Sequence, residues 1–370
     1  MPYSLPLLYT ATQLEEIAGS FYNQLTLSFQ GNKTSLPFYK HQIPLVSLLK
    51  ENERFQVMVF GGTVFKSAIL TNNKPRPVIV STIEVQTPRF TDSNVFLSFI
   101  FRHLQKDIRH LAVNFAYPLQ PVVENGILDG ILIEGAKEHA FSGLIGKKIS
   151  IEIAEEFKKK YNKEIIISTA NDTVCLLLSQ LTNANWNNSV AVIIGTGINI
   201  AVTLEKPLLV NLESSNFNKF NQTETGKQID YDSIKPGEQL FEKEVSGAYL
   251  FKHFNLCLAK NKIDHPFIST TLQMSEIALQ SGFVSEIAQK LLERSASLAA
   301  CQMAGISLFK KQLGIDSLTF QMEGNLYWQG WNYRDLLNKY LYQLGVGESI
   351  QFSKLEHHSI QGAIKLLTGI

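Results

Sequence analysis

The chain has 370 residues, 45% of them hydrophobic, which is enough to bury the cores of two domains. Its net charge of +1 provides no strong field for nucleic acid or an acidic membrane, and its three scattered cysteines fit reduced core thiols of a cytoplasmic protein. We expect no membrane span and no signal peptide, because no apolar run is long enough and the first residues lack a charged region. The eight histidines lack zinc-site spacing, so no protein-held metal is predicted.

Apolar residues spaced three and four apart predict a helix over residues 11–29, and alternating apolar residues predict strands within 56–85. A helix at 94–105, a strand at 111–116, a helix at 147–160, a strand at 164–168 and a helix at 171–181 follow. The rest is predicted as a strand–turn–strand over 189–203, an irregular loop at 216–236, helices at 238–259, 270–281 and 284–313, a strand at 317–323 and a last helix at 359–367. Mixed strands and helices of this kind indicate an α/β fold.

The polar step Asn171-Asp172-Thr173 interrupts an apolar run. A carboxylate placed there is costly to bury unless it has a partner or a chemical task, so Asp172 is a candidate catalytic base. The alternative is an ordinary helix N-terminal cap.

Two glycine turns lie between apolar strands, one at Gly61-Gly62 and one at Gly195-Thr196-Gly197. Glycine lets backbone N–H groups come close to a phosphate, although a single such turn is weak evidence. Two of them suggest related halves that face a common nucleotide. Together with a candidate base, they predict a phosphotransferase.

Several segments, in shared order, resemble motifs of the hexokinase family within the actin-like sugar kinase superfamily. They are Ser35-Leu-Pro-Phe-Tyr, Phe60-Gly-Gly-Thr-Val-Phe-Lys, Phe115-Ala-Tyr-Pro, Leu132-Ile-Glu-Gly-Ala-Lys, Asn171-Asp-Thr-Val, Gly195-Thr-Gly-Ile-Asn, Asn211-Leu-Glu, Phe241-Glu-Lys-Glu-Val-Ser-Gly and Glu323-Gly-Asn-Leu-Tyr. The resemblance implies a two-domain actin-like (ribonuclease H-like) sugar kinase fold with a central cleft. It also implies a small domain of residues 56–166 plus 357–370 and a large domain of 1–55 plus 167–356.

The resemblance further implies phosphorylation of a hexose, glucose first, at its 6-hydroxyl with ATP and Mg²⁺. Asp172 would be the general base, which typically contributes about 10²–10⁴-fold. The sugar would be bound by Lys137, Asn171, Asn199, Glu213 and Glu242. The nucleotide and its phosphates would be bound by Gly61, Gly62, Thr63, Lys66, Gly195, Thr196, Gly197, Gly324 and Gly362. Taken alone, Glu213 and Glu242 would be ordinary surface carboxylates, and the oligomeric state is open.

The chain departs from the family pattern at the first phosphate loop. Val59 stands where the family has an Asp that helps to hold Mg²⁺ through water, and Lys66 replaces an Arg and loses its bidentate fork. Ala116 and Ala136 replace sugar-side Ser and Thr, and the family's last Gly-Ser-Gly reads His358-Ser359-Ile360. The alternative is therefore a hexokinase-like sugar-binding or regulatory protein with weak or no phosphotransfer. A third interpretation, a kinase for another sugar, follows from the two alanines.

Overall fold

The computed structural model describes residues 4–62, 64–74, 76–135, 139–182, 184–354 and 358–370. Its contacts divide the chain into two compact units. The first unit comprises Met1–Phe38, Val190–Ile200 and Leu212–Lys354, and the second comprises Tyr39–Ser189, Ala201–Asn211 and Leu355–Ile370. The two domains expected from the sequence are the halves of a kinase fold, which is a different division of the chain. Their boundaries stay a prediction.

The strands of the described chain are β1 (Tyr39–Gln42), β2 (Arg54–Phe60), β3 (Val64–Thr71), β4 (Val78–Gln86), β5 (His110–Phe115), β6 (Leu119–Glu124), β7 (Ile127–Leu132), β8 (Ile166–Asn171), β9 (Ser189–Ile194), β10 (Ile198–Thr203), β11 (Leu208–Asn211), β12 (Leu318–Glu323) and β13 (Ile350–Ser353). The α-helices are α1 (Ala11–Phe29), α2 (Ser93–His103), α3 (Ile149–Tyr161), α4 (Asp172–Gln180), α5 (Glu224–Tyr231), α6 (Leu240–Val245), α7 (Gly247–Lys260), α8 (Thr271–Ala278), α9 (Phe283–Gln312), α10 (Asn325–Gln329), α11 (Tyr333–Gln343) and α12 (His358–Thr368).

The second unit is built on a five-stranded sheet with the order β4-β3-β2-β5-β8. Strands β2, β5 and β8 are parallel, β3 pairs with β2 antiparallel, and β4 pairs with β3 antiparallel. Phenylalanines fill one face of this sheet: the ring centroids of Phe60 and Phe115 lie 5.7 Å apart, and those of Phe60 and Phe96 of α2 lie 5.5 Å apart. Such aromatic pairs contribute about 0.5–1.5 kcal/mol each beyond area burial. This packing fixes the ends of β2, β5 and β8.

The first unit is mainly helical, and its long helix α9 packs against α1, α8 and α11. Thr10 and Gln13 cap α1 reciprocally, and Leu14, Phe21 and Leu25 form its buried face. In the same unit, β9 lies between β10 and β12, and β13 pairs with β12 in parallel. The chain passes from one unit to the other within β10, after Ile200.

Most predicted elements are confirmed, but the region after Asn216 differs from the prediction. The predicted loop at 216–236 contains helix α5, because the Thr223 side chain accepts a hydrogen bond from the N–H of Gly226 and Ile229 supplies a buried contact. The single helix predicted at 238–259 is broken into α6 and α7 at Ser246, whose backbone is extended (φ −83°, ψ 159°). Within the described residues, no helix is long and apolar enough to cross a membrane.

Candidate functional site

Three parallel strands end together at one edge of the sheet in the second unit. Phe60, Phe115 and Asn171, the last residues of β2, β5 and β8, are neighbours in register. The residues that follow them therefore emerge at the same edge, and the N–H of Ala116 donates to the carbonyl of Phe60 at 2.9 Å. Ligands of open α/β sheets bind at the carboxyl ends of such strands.

Asp172 is the first residue of α4 and is partly exposed. Its Oδ1 accepts hydrogen bonds from the N–H of Thr173 at 2.8 Å and from the Thr173 hydroxyl at 3.3 Å. The N-cap role that the sequence left open for Asp172 belongs to Asn171, whose Oδ1 accepts from the N–H of Thr173 at 3.0 Å. The Asn171 amide also donates to the carbonyl of Tyr117 at 3.4 Å. The carboxylate of Asp172 is thus held at the positive end of a helix.

The charge of this carboxylate contributes to a raised pKa at two neighbouring groups. Burial, followed by the charge of Asp172, raises the pKa of the Tyr117 hydroxyl, and the same two causes raise the pKa of the Cys175 thiol. Both groups therefore stay protonated at neutral pH.

The first glycine turn follows β2 at the same edge. The N–H of Gly61 donates to the carbonyl of Val64 at 3.0 Å, and a Cβ at Gly61 would lie 2.8 Å from that oxygen, so the turn has no room for a side chain. The hydroxyl of Thr87 donates to the carbonyl of Gly61 at 3.3 Å. Gly62 completes the described part of the turn, and Thr63 lies outside the described residues.

Val59 and Lys66 are cross-strand partners at the base of this turn. The Val59 side chain is 7% exposed and carries no oxygen, while the Lys66 ammonium lies 3.2 Å from a carboxylate oxygen of Glu84. Within the described residues, no group of three or more His, Cys, Asp and Glu side chains could hold a metal ion. Mg²⁺ prefers oxygen ligands, so the Val59 position does not fit a protein-held Mg²⁺.

The second glycine turn joins β9 to β10 in the first unit. The N–H of Gly195 donates to the carbonyl of Gly197 at 2.9 Å, and the start of α7 closes on the turn, since the N–H of Gly247 donates to the carbonyl of Gly195 at 2.8 Å. Thr196 at the tip is exposed. Gly324 lies beside this turn with φ +108°, and a Cβ there would lie 2.2 Å from the carbonyl oxygen of Ile194.

Polar side chains follow this turn along β10. The Oε2 atom of Glu242, in the first turn of α6, accepts from the N–H of Ile198 at 3.1 Å. The Oδ1 atom of Asn199 accepts from the N–H of Ile200 at 2.7 Å and from the N–H of Ser214 at 3.2 Å. The first unit therefore gathers the second glycine turn, Asn199 and Glu242 along the first half of β10.

Glu213 precedes Ser214 and is held in the left-handed conformation (φ 47°, ψ 52°) with 8% exposure. Its backbone carbonyl accepts from the N–H of Asn216 at 3.0 Å, and Gln302 of α9 donates to the carbonyl of Ser214 at 2.9 Å. A non-glycine residue in this conformation costs about 1–2 kcal/mol, so its surroundings must fix it.

A buried ionic group supports helix α6, and the sequence reading missed it. The Glu244 carboxylate, 0% exposed, accepts from the N–H and the hydroxyl of Thr223 and lies 3.4 Å from the guanidinium of Arg294. His253 donates from Nε2 to the carbonyl of Lys243, while its Nδ1 faces the Thr225 hydroxyl at 2.7 Å. The signal available in the sequence was Arg294, a charge within the apolar pattern of α9.

Comparisons with known proteins find hexokinases. A family model described as Hexokinase matches residues 189–262 and 261–367. Hexokinase-1 of Nicotiana tabacum is 26% identical over 316 residues, which cover 69% of this chain and 62% of the tobacco protein. Hexokinase-2 of Candida albicans is 24% identical over 351 residues, which cover 83% and 70% of the two chains. These matches support the hexokinase family as the family of this chain.

A solved hexokinase shows the same fold across nearly all of the chain. The structure of the Schistosoma mansoni hexokinase complexed with glucose has a TM-score of 0.80 and 19% identity, and the match covers 98% of this chain and 96% of the other. This likeness confirms the predicted α/β sugar kinase fold. The chain spans about three-fifths of the length of the tobacco hexokinase.

The structure places the hexokinase-like residues in two groups, one in each unit. Asn171, Asp172, Gly61, Gly62 and Lys66 lie in the second unit. Gly195, Thr196, Gly197, Asn199, Glu213, Glu242 and Gly324 lie in the first. Lys137 and Ala136 fall outside the described residues, as Thr63 does. Gly362 lies inside α12, where a Cβ would lie 1.8 Å from the carbonyl oxygen of Cys175, so it has a packing role there.

Proposed function

We propose that this chain transfers the terminal phosphate of ATP to the 6-hydroxyl of a hexose, with glucose as the first candidate. The observation that carries the proposal is the Asp172 carboxylate, held by Thr173 at the carboxyl edge of three parallel strands. A base must hold a fixed position and remain accessible to its substrate. Asp172 meets both conditions, because it is partly exposed and anchored through one oxygen.

Asp172 takes the proton of the sugar hydroxyl as the hydroxyl oxygen bonds to the terminal phosphorus of ATP, and the bond from that phosphorus to ADP breaks, so that ADP leaves. The bonds of Thr173 go to Oδ1, so we assign the proton transfer to Oδ2. Phosphoryl transfer needs little covalent help from the protein, and most of the rate comes from positioning and charge stabilisation. Asn171, which caps the same helix, keeps the carboxylate in register with the strand.

Carboxylates and amides bind the other sugar hydroxyls in this proposal. Asn199, Glu213 and Glu242 supply acceptors and donors that match the hydroxyl pattern of a hexose. Hydrogen bonds from the backbone hold two of these side chains in place and support this assignment. Glu242 accepts from the N–H of Ile198, and Asn199 accepts from the N–H of Ser214. Asn171 and Lys137 complete the proposed set.

The donor phosphates are assigned to the two glycine turns. Gly195, Thr196 and Gly197 offer a turn with an exposed tip, and Gly324 keeps the neighbouring backbone close to it. Gly61, Gly62, Thr63, Lys66 and Gly362 are the remaining proposed contacts of the phosphates and nucleotide. When Mg²⁺ is present it supplies charge neutralisation on phosphate oxygens, and in this proposal the nucleotide carries it, because Val59 offers no ligand.

A second candidate function rests on Val59 alone. A buried valine at the base of the first turn fits a hexokinase-like sugar-binding or regulatory protein that transfers phosphate weakly or not at all. The substitutions at Ala116 and Ala136 favour a different sugar instead. The cytoplasmic location expected from the sequence stays a prediction.

The decisive experiment measures ADP release by the purified chain with MgATP and a panel of hexoses, beside Asp172→Asn. We expect sugar-dependent turnover that falls at least 10²-fold in the variant. Turnover without dependence on Asp172 would contradict the assigned base. No turnover, with a hexose still raising the melting temperature, would establish the sugar-binding alternative.

A further inference from the structure

The C-terminal helix α12 presses directly on the helix that begins with Asp172. The closest approach is at Gly362, where a Cβ would lie 1.8 Å from the carbonyl oxygen, 2.5 Å from the carbonyl carbon and 2.9 Å from the Cα of Cys175. All three are backbone atoms of α4, so no side-chain rotation can relieve the contact. Only the absence of a side chain at position 362 allows the two helices to pack this closely.

Helix α12 is also tied at both ends within the second unit. Near its start, the buried amide of Asn114 on β5 donates to the carbonyl of Ser359 at 3.2 Å. Near its end, the Lys365 ammonium donates to the carbonyl of Leu181, which caps the C-terminus of α4. The helix therefore cannot slide away from α4 without breaking hydrogen bonds to β5 or to α4.

Cys175 lies three residues after Asp172, so the two residues share a side of α4 separated by one turn. A displacement of α4 at Cys175 is therefore transmitted to the carboxylate of Asp172. We propose that α12 sets the position of the catalytic base, with Gly362 as the positioning residue. This inference rests on the proposed role of Asp172. It gives Gly362 a task other than contact with phosphate.

The test is Gly362→Ala, which forces α12 and α4 apart by roughly 1 Å, and a base misplaced by that distance can lose about 10²-fold in rate. We expect kcat to fall about tenfold to 10²-fold, with the KM for the hexose changed less than kcat, since three of the proposed sugar ligands lie in the first unit and are untouched. In an Asp172→Asn background, Gly362→Ala should lower the residual kcat no further, because both changes remove the same contribution. A fall by the same factor in both backgrounds would overturn the inference.

Two other glycines supply matched controls in the first unit. A Cβ at Gly305 of α9 would lie 2.8 Å from a ring carbon of Phe21, so Gly305→Ala introduces a steric clash that does not involve Asp172. A Cβ at Gly19 of α1 meets nothing within 4 Å, so Gly19→Ala is neutral in packing. If Gly305→Ala, assayed below its melting temperature, lowers kcat as much as Gly362→Ala does, general destabilisation explains the effect and the positioning role is wrong.

Crystal structures of the wild type and Gly362→Ala decide the point independently of turnover. We expect α4 and the Cα of Asp172 to shift by about 1 Å relative to β5 and β8, and an unmoved Asp172 would overturn the inference. If Gly362→Ala does not fold, Lys365→Met replaces it, since it releases the end of α12 without adding an atom against α4. Its kcat should fall in the wild-type background and not in Asp172→Asn. A wild type without hexose-dependent turnover overturns the proposed function alone, and the displacement of Asp172 then decides this inference.

Discussion

At the scale of single residues, backbone contacts at a few positions hold the hexokinase-like residues of each unit in place. Asn171 caps α4 and thereby leaves the neighbouring Asp172 carboxylate partly exposed at the helix end. In the first unit, Gly324 and Gly195 pack backbone to backbone, since a Cβ at Gly195 would lie 3.2 Å from the Cα of Gly324. Side chains can be exchanged at many surface positions, but a Cβ added at either of these glycines would require neighbouring backbone to shift.

Gly324→Ala is expected to destabilise the chain strongly. Its φ of +108° lies in the region that disfavours L side chains, and its Cβ would lie 2.2 Å from the carbonyl oxygen of Ile194. Strain of this kind costs about 1–3 kcal/mol, and the steric overlap adds to it. Urea unfolding of Gly324→Ala beside Gly19→Ala measures the difference. Equal stabilities of the two variants would contradict the close packing at Gly324.

Val59→Asp tests whether the missing carboxylate limits turnover. We expect kcat with MgATP to rise at least tenfold, because metal assistance can supply several kcal/mol and each 1.4 kcal/mol is a factor of ten. The new carboxylate would stand opposite Lys66, so its charge has a partner. Val59→Asn, similar in size but uncharged, is the control. An unchanged kcat in both variants would mean that residue 59 takes no part in placing the metal.

At the scale of elements, α6 connects the proposed sugar ligand Glu242 with the buried pair of Glu244 and Arg294. Removing one partner of such a buried pair typically costs 3–5 kcal/mol, because it leaves an uncompensated charge. The two residues come from α6 and α9, fifty positions apart in the chain. The placement of Glu242 thus depends on a charge that no local sequence pattern connects to it.

The buried cluster of Glu244, Arg294 and His253 predicts that the free energy of unfolding falls in acid. Burial first, and then the charge of Arg294, lowers the pKa of His253 to about 3 from its ordinary 6.5. Between these values the unfolded chain binds a proton that the folded chain does not, so the contribution is complete above pH 6.5 and is lost as the pH falls. At His253 this amounts to about 2 kcal/mol between pH 7 and pH 5.

Urea unfolding of the wild type and His253→Gln at pH 7 and pH 5 measures this contribution. The wild type should lose about 2 kcal/mol more than the variant over that interval. Glu244 acts in the opposite sense, since burial raises its pKa. It is present in both proteins, so their difference reports on His253. Equal losses would show that His253 is charged in the folded chain.

Elements defined by local patterns were predictable, and those defined by distant contacts were not. Helices α1 and α9 follow their apolar spacing, and β2 and β3 follow apolar alternation around a glycine turn. Helix α5 was missed because its buried face consists of only Gly226 and Ile229. Helix α11 and the hairpin of β6 and β7 were also not predicted, because their sequences mix polar and apolar residues without a clear period.

At the scale of the whole molecule, the family and the fold follow from motifs in shared order, whereas the residues proposed to carry the activity come from both units. The glycine turns and Asp172 could be identified from residue type and spacing. The contacts of Asn199 with Ser214, and of Gly362 with Cys175, join separate parts of the chain and needed the structure. The candidate residues could be identified from the sequence, but the long-range contacts that hold them could not.

Hexose binding should stabilise the whole chain by mass action. Glucose at a concentration of about 100 times its dissociation constant adds about 2.7 kcal/mol to the free energy of unfolding if only the folded state binds it. Scanning calorimetry with increasing glucose, and with sorbitol as an osmolyte control, measures this shift. Glu242→Gln should reduce the shift, because a hydrogen-bonded sugar ligand loses its charge. Equal shifts with glucose and sorbitol would exclude a specific sugar site.

The left-handed backbone of Glu213 has a consequence for redesign of this protein. Glycine adopts that conformation readily, so a sequence optimised only for folding would replace Glu213 early. The exchange would relieve backbone strain and remove the carboxylate that we propose as a sugar ligand. Engineering for heat resistance and engineering for catalysis therefore impose opposite demands on this residue. Libraries built on this scaffold should keep position 213 fixed.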